Sequence, residues 1–126
     1  MNEQHQTGAA SEMLVAYKFI KAGYQVYYPM MAQSKEDLVV CRDGVFTKVQ
    51  VKTATKIRSG NSTAYQVRLG GCGRASYKDG DFDILAVVLG EEVLIYTWES
   101  VKGKTSMCVG NRNKGDSSWA LTNSFA

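Results

Sequence analysis

Asp43-Gly44 constrains this chain more than any other pair, because it stands between two runs of alternating, largely β-branched residues, Leu38 to Cys41 and Phe46 to Thr53. Asp-Gly in that setting signals a two-residue hairpin turn. With those residues as the loop, Arg42 pairs with Val45, Cys41 with Phe46, Val39 with Lys48 and Asp37 with Gln50. Side chains alternate faces with period two, so Leu38, Val40, Val49 and Val51 share one face, the expected core. Asp37, Gln50 and Lys52 share the other, which therefore gathers a carboxylate, an amide and an ammonium.

That grouping suits one kind of chemistry. A carboxylate and a second oxygen donor one cross-strand spacing apart can hold a hard cation such as Mg²⁺, which takes oxygen ligands and retains waters that a phosphate can displace. A lysine two residues along the same face can orient or deprotonate an attacking water and offset charge on the transition state.

Composition narrows the setting. A chain of 126 residues is expected to form a single domain, 1–126, without needing a disulfide or metal staple. Cys41, Cys72 and Cys108 lack paired zinc-site spacing, and the only histidine, His5, lies in a polar start; a reduced, cytoplasmic setting follows. No apolar leader is visible, and the longest apolar run, Ile84 to Leu89, is too short to cross a membrane.

The net charge of +3 is unevenly spread. Between Gly44 and Tyr77 there is no acidic residue, while Lys48, Lys52, Lys56, Arg58, Arg68 and Arg74 are basic. Lys102, Lys104, Arg112 and Lys114 outweigh Asp116 near the end. Both blocks fit a polyanion such as double-stranded DNA, and both also fit an ordinary solvated face.

In chain order, Met1 to Thr7 reads as a frayed start and Gly8 to Ala22 as a helix stopped by Gly23. Ala9, Met13, Ala16, Tyr17 and Ile20 form its expected buried stripe, with Glu12 at the border. Tyr24 to Tyr28 alternates as a strand ending at Pro29. Met30 to Glu36 connects it to Asp37, with Ser34 and Lys35 placed to touch a phosphate. Ala54 to Thr63 is polar and basic and reads as a loop, followed by a strand through Tyr65, Val67 and Leu69. Gly70 to Arg74 lacks the strand and helix context of a dinucleotide fingerprint. Phe82 to Leu89 and Val93 to Trp98 form a final hairpin, and a strand-entry turn accounts for Asp81 and Asp83. Residues 102–126 read as a tail or arm, in which Trp119 is costly to expose and anchors on its own domain or on another subunit.

The order Asp37, turn, Gln50-Val51-Lys52, preceded by Gly23-Tyr24-Gln25-Val26-Tyr27-Tyr28-Pro29, resembles the PD-(D/E)xK nuclease superfamily. Gln50 stands where an acid is usual. The nearest likeness is to the small homing endonucleases of group I introns, where Gln-x-Lys occurs, and next to archaeal Holliday junction resolvases. The resemblance implies an α/β, restriction-endonuclease-like fold, with a mixed central sheet, an N-terminal helix and few others. It implies a DNA endonuclease using Mg²⁺, or alternatively Mn²⁺, in a bacterial, archaeal or phage-infected cell. Asp37, Gln50 and the Val51 carbonyl would hold the metal, and Lys52 would act on the nucleophile. Glu12, which alone reads as solvated, would join the metal site. Lys56, Arg58, Arg68 and Arg74, with Ser34 and Lys35, would meet DNA. Junction resolution and non-catalytic DNA binding on a nuclease scaffold are the alternatives. Cutting both strands in one encounter points to a homo-oligomer, at least a dimer, with Trp119 and Met107 as expected interface residues.

Overall fold

The computed structural model describes residues 2–31, 33–59, 62–70, 77–109 and 119–120. Its first element, helix α1 (Glu3–Lys21), begins earlier than the sequence suggests. The His5 backbone N–H donates to Asn2 Oδ1 at 2.9 Å, an N-cap that the polar composition of the start concealed. Glu3 in the first turn and Lys18 and Lys21 in the last complement the helix dipole. Gly23, at φ 95°, reverses the chain at the other end.

The buried side of α1 is not the expected one. Ser11, Val15, Ala16 and Phe19 face the protein, whereas Met13, Tyr17 and Ile20 face solvent. Both sets follow helical spacing, because the helix has apolar residues almost all round, and periodicity alone cannot choose between them.

Next come β1 (Gln25–Tyr27), β2 (Leu38–Arg42) and β3 (Val45–Thr53). The turn between β2 and β3 has Asp43 at φ 53° and Gly44 at φ 79°, two left-handed residues whose twist matches the flanking strands. The ladder pairs Arg42 with Val45, Cys41 with Phe46 and Val39 with Lys48, as the turn dictates.

Beyond Ala54 the chain bends away. Its amide donates to the Val88 carbonyl at 2.9 Å, and the segment expected as a loop is instead β4 (Thr55–Ser59), paired with β5 (Ser62–Arg68). Then follow β6 (Ile84–Leu89), β7 (Glu92–Thr97), a short helix α2 (Trp98–Val101), β8 (Ser106–Val109) and β9 (Trp119–Ala120). The tail reading of 102–126 thus fails for two of its segments. β8 pairs with β5, and β9 pairs with β7 through Leu94–Ala120 and Ile95–Trp119.

The strands form a mixed six-stranded sheet, β1-β2-β3-β6-β7-β9, with β3 and β6 parallel, and a three-stranded sheet, β4-β5-β8. Helix α1 covers one face of the larger sheet. There Val15 and Phe19 pack on Leu38, Val40, Val49, Val51, Ala86, Val88, Val93 and Ile95. The opposite face of β6 and β7 carries Leu85, Val87, Leu94 and Tyr96, which pack with Val67, Leu69, Phe82, Val101 and Val109. Strands buried on both faces need continuous apolar runs, which is why β6 and β7 do not alternate. Met107, expected at an interface, packs against this second core.

Candidate active site

The site forms where β2 begins and α1 crosses the end of β3. The Asp37 N–H donates to the Val49 carbonyl at 2.8 Å, and Asp37 Oδ2 accepts from the Val51 N–H at 2.8 Å. Asp37 therefore brackets Gln50, the partner that counting from the turn assigns to it. Within a strand, the N–H and C=O of one residue point to the same side, so the Val51 carbonyl also points past the start of β2.

Gln50 departs from a simple polar surface. Alternation puts it on the face opposite Val49 and Val51, yet it is only 7% exposed. Its Nε2 lies 3.5 Å from the Val51 carbonyl, at the limit of a hydrogen bond, and its Oε1 is buried without a hydrogen-bond partner among the described residues. An orphaned buried acceptor calls for a physical explanation.

A cleft of about 250 Å³ opens at this point, lined by Glu12, Tyr28, Pro29, Met31, Ser34, Glu36 and Asp37. Burial pushes the Asp37 carboxyl above its usual range and the Glu36 charge adds to that, although the Val51 hydrogen bond and the Lys52 ammonium pull the other way. Burial also raises the Glu12 carboxyl, and the Asp37 charge raises it further. Two acids from elements 25 positions apart in the chain thus share one pocket and repel each other. Glu12 is brought there by its neighbour: the buried Ser11 hydroxyl and the Thr53 hydroxyl, one residue past Lys52, are hydrogen-bonded at 2.6 Å. That bond seats α1 on the end of β3.

The Lys52 ammonium lies 5.6 Å from the Tyr77 ring centroid, within cation–π range. Tyr77 packs edge-on against Phe82, and Phe82 against Trp98, each at 5.1 Å between centroids. Ser11, Thr53 and Tyr77 had no signal of their own in the sequence, since each matters only through a partner distant in the chain. Lys48, also on this face, donates to the Gly80 carbonyl.

The oxygens present suit a hard divalent cation: the Asp37 carboxylate, the orphaned Gln50 Oε1 and the Val51 carbonyl, with Glu12 across the cleft. Among the described residues no group of three His, Cys, Asp or Glu side chains is placed to hold a metal, so such an ion would depend on these neutral oxygens. Asp81 and Asp83 do not compete for the role. Asp81 Oδ2 accepts from the Lys78 N–H at 2.9 Å, as a turn residue does, whereas Asp83 Oδ2 accepts from the Lys48 N–H at 2.8 Å and ties the start of β6 to β3 rather than serving the turn.

The residues expected to meet DNA are spread more widely. Ser34 lines the cleft beside an exposed Lys35, while Lys56 and Arg68 are exposed on the second sheet. The backbone of Arg58 pairs with Thr63, but its side chain, that of Trp119, and all of Arg74, Cys72, Arg112 and Lys114 lie outside the described residues. No described helix is long and apolar enough to cross a membrane.

A family model described as PD-(D/E)XK endonuclease matches residues 2–119. The chain is 76% identical over 115 residues to Protein 5.3 of Escherichia phage T7, covering 91% of this chain and 98% of that protein. Its fold matches the structure of a bacterial homing endonuclease, I-Ssp6803I, with a TM-score of 0.75 at 19% identity, over 92% of this chain and 84% of the other.

Proposed function

This chain belongs to the PD-(D/E)XK endonuclease family, and from that premise we propose that it is a metal-dependent DNA endonuclease of the site-specific, homing type, acting in a phage-infected bacterial cell. The observation that carries the proposal is that Asp37 and Glu12 line one cleft, with the buried and unpartnered Gln50 Oε1 on the strand beside Asp37. A fold tolerates an unpaired buried amide oxygen and two mutually repelling carboxylates when a cation is to be held there.

In this reading Asp37, Gln50 Oε1 and the Val51 carbonyl would hold Mg²⁺, or Mn²⁺, with Glu12 as a further acidic ligand. Such an ion would supply charge neutralisation at the scissile phosphate and a more acidic water. Asp37 does two jobs, since Oδ2 is engaged by the Val51 N–H and fixes the carboxylate while Oδ1 is left for the ion. Lys52, held beside Tyr77, orients the attacking water and offsets charge on the phosphate oxygens as the P–O bond breaks. Lys35, Lys56 and Arg68 meet backbone phosphates. The whole of 1–126 acts as one nuclease unit, and a homodimer is the form that cuts both strands in one encounter.

The Gln at position 50 favours a second reading, a non-catalytic DNA-binding module, because it leaves only two anions for the metal. A junction resolvase would share the chemistry and read branch shape. Incubation with genomic, duplex and four-way-junction DNA, in Mg²⁺ or EDTA, separates the three. The expected result is Mg²⁺-dependent cutting of duplex DNA that Asp37→Asn and Lys52→Ala each reduce by at least about 100-fold, equivalent to about 2.7 kcal/mol of transition-state stabilisation. Binding without cutting in Mg²⁺ and in Mn²⁺ would establish the non-catalytic module instead.

A further inference from the structure

The Lys52 ammonium is held in a way that leaves its charge intact. Among the described residues it makes no hydrogen bond or ion pair, and it stands over the Tyr77 ring. Lys48, four residues earlier on the same face of β3, is engaged differently, because its ammonium donates to the Gly80 carbonyl. A carbonyl or carboxylate occupies N–H donors, and a carboxylate also offsets the charge. A ring face attracts the cation through its quadrupole and leaves donors for a water or a phosphate oxygen. Behind Tyr77 the rings continue. Tyr77 meets Phe82 at an interplanar angle of 81° and Phe82 meets Trp98 at 89°, the edge-to-face arrangement that aromatic quadrupoles favour. Phe82 is 1% exposed and fixed in the second core. Trp98 Nε1 then donates to Asp79 Oδ1 at 2.7 Å. The turn that carries Asp79 is closed by the Asp81 N–H on the Lys78 carbonyl at 3.0 Å and by the Lys78 N–H on Asp81 Oδ2.

We propose that the Tyr77–Phe82–Trp98 ladder, latched by Asp79, fixes the Lys52 ammonium over one ring face, so that Trp98 and Asp79 are positioning residues although neither lines the cleft. A lysine head sits on a flexible four-carbon stem, and a catalytic group acts only when it is held in one geometry. The ring face supplies that restraint without a neutralising partner. Core packing accounts for Phe82 but not for the two ends of the ladder. Tyr77 is half-buried and turns its ring to a cation. The bond from Trp98 to Asp79 is exposed, where water satisfies an indole N–H equally well, so its effect is to hold the turn in register with the rings. Resting on the endonuclease reading, the consequence is that loosening the ladder slows the chemical step while DNA affinity, set by exposed cations elsewhere, is unchanged.

Reductive methylation of the full chain with ¹³C-formaldehyde, which keeps the lysine charge, tests the ladder by NMR in EDTA without reference to activity. The Lys52 methyl signal, identified by its loss in Lys52→Arg, is expected upfield of the other lysines, displaced by the ring current of Tyr77. Tyr77→Leu should return it to the position of the others, and Tyr77→Phe, which keeps the ring, should rescue the displacement. Asp79→Ala, at an exposed position, should reduce the displacement while leaving the fold intact. In Mg²⁺, Tyr77→Leu should lower kcat by about 10-fold or more with KM for DNA unchanged, Asp79→Ala should lower it in the same direction, and Tyr77→Phe should rescue it. A wild-type Lys52 signal among the other lysines would overturn the proposal, as would a displacement that Asp79→Ala leaves unaltered. So would an equal loss of kcat in Tyr77→Phe and Tyr77→Leu, which would assign the role to the hydroxyl. If Tyr77→Leu does not fold, Asp79→Ala and Tyr77→Phe decide the matter by the same criteria. If the signals behave as expected but the wild type cuts no DNA, the endonuclease reading fails and the ladder stands.

Discussion

Replacing Gln50 by Leu should make the metal-free protein more stable and the metal-loaded protein no better. The side chain is 7% exposed, its Nε2 reaches only a 3.5 Å contact, and its Oε1 has no partner among the described residues. An unsatisfied buried acceptor costs about 1–3 kcal/mol, and Leu is close in volume while removing both amide atoms. In EDTA the variant should therefore gain about 1–3 kcal/mol, which for a chain of this size is an increase in Tm of about 4–12 °C. Saturating Mg²⁺ stabilises the wild type by mass action, about 2.7 kcal/mol at one hundred times Kd, and the variant should lose most of that increment together with cleavage. Urea melts followed by circular dichroism, in EDTA and in Mg²⁺, measure all four states. A variant less stable than wild type in EDTA would refute the argument that the amide is an uncompensated burden. Equal Mg²⁺ stabilisation of both proteins would remove Gln50 from the metal site.

The acids should leave a signature in the pH dependence of the metal-free protein. Folding raises the Glu12 carboxyl above 4.5 and the Asp37 carboxyl above 3.8, so the native state holds protons that the unfolded chain releases. Their favourable contribution is complete below those ordinary values and is lost as pH rises through the raised ones. In EDTA, Glu12→Gln should accordingly gain stability relative to wild type as pH climbs from 4.5 upward, and urea melts showing a pH-independent difference would contradict this. On the DNA side, Lys56→Ala should flatten the slope of log affinity against log salt by about one unit. An unchanged slope would mean that Lys56 is only solvated.

Local chemistry determined the centre of this protein. Asp43-Gly44 can satisfy two left-handed positions in one short turn, and once it does, period two alone aligns Asp37, Gln50 and Lys52 and sends Val49 and Val51 to the core. Gly23 ended α1 for the same local reason. What required the tertiary structure were choices between faces and encounters between distant segments. With apolar residues nearly all round α1, only the sheet decided that Val15 and Phe19 go inside and Tyr17 and Ile20 stay out. The β4 segment looked like a loop because Thr55 and Lys56 face solvent, and β8 looked like tail because its partner, β5, lies about 40 residues earlier. The folded chain likewise turns Gln50, which the strand pattern places on a polar surface, into a buried amide whose oxygen has no hydrogen-bond partner among the described residues, a property that no local spacing encodes.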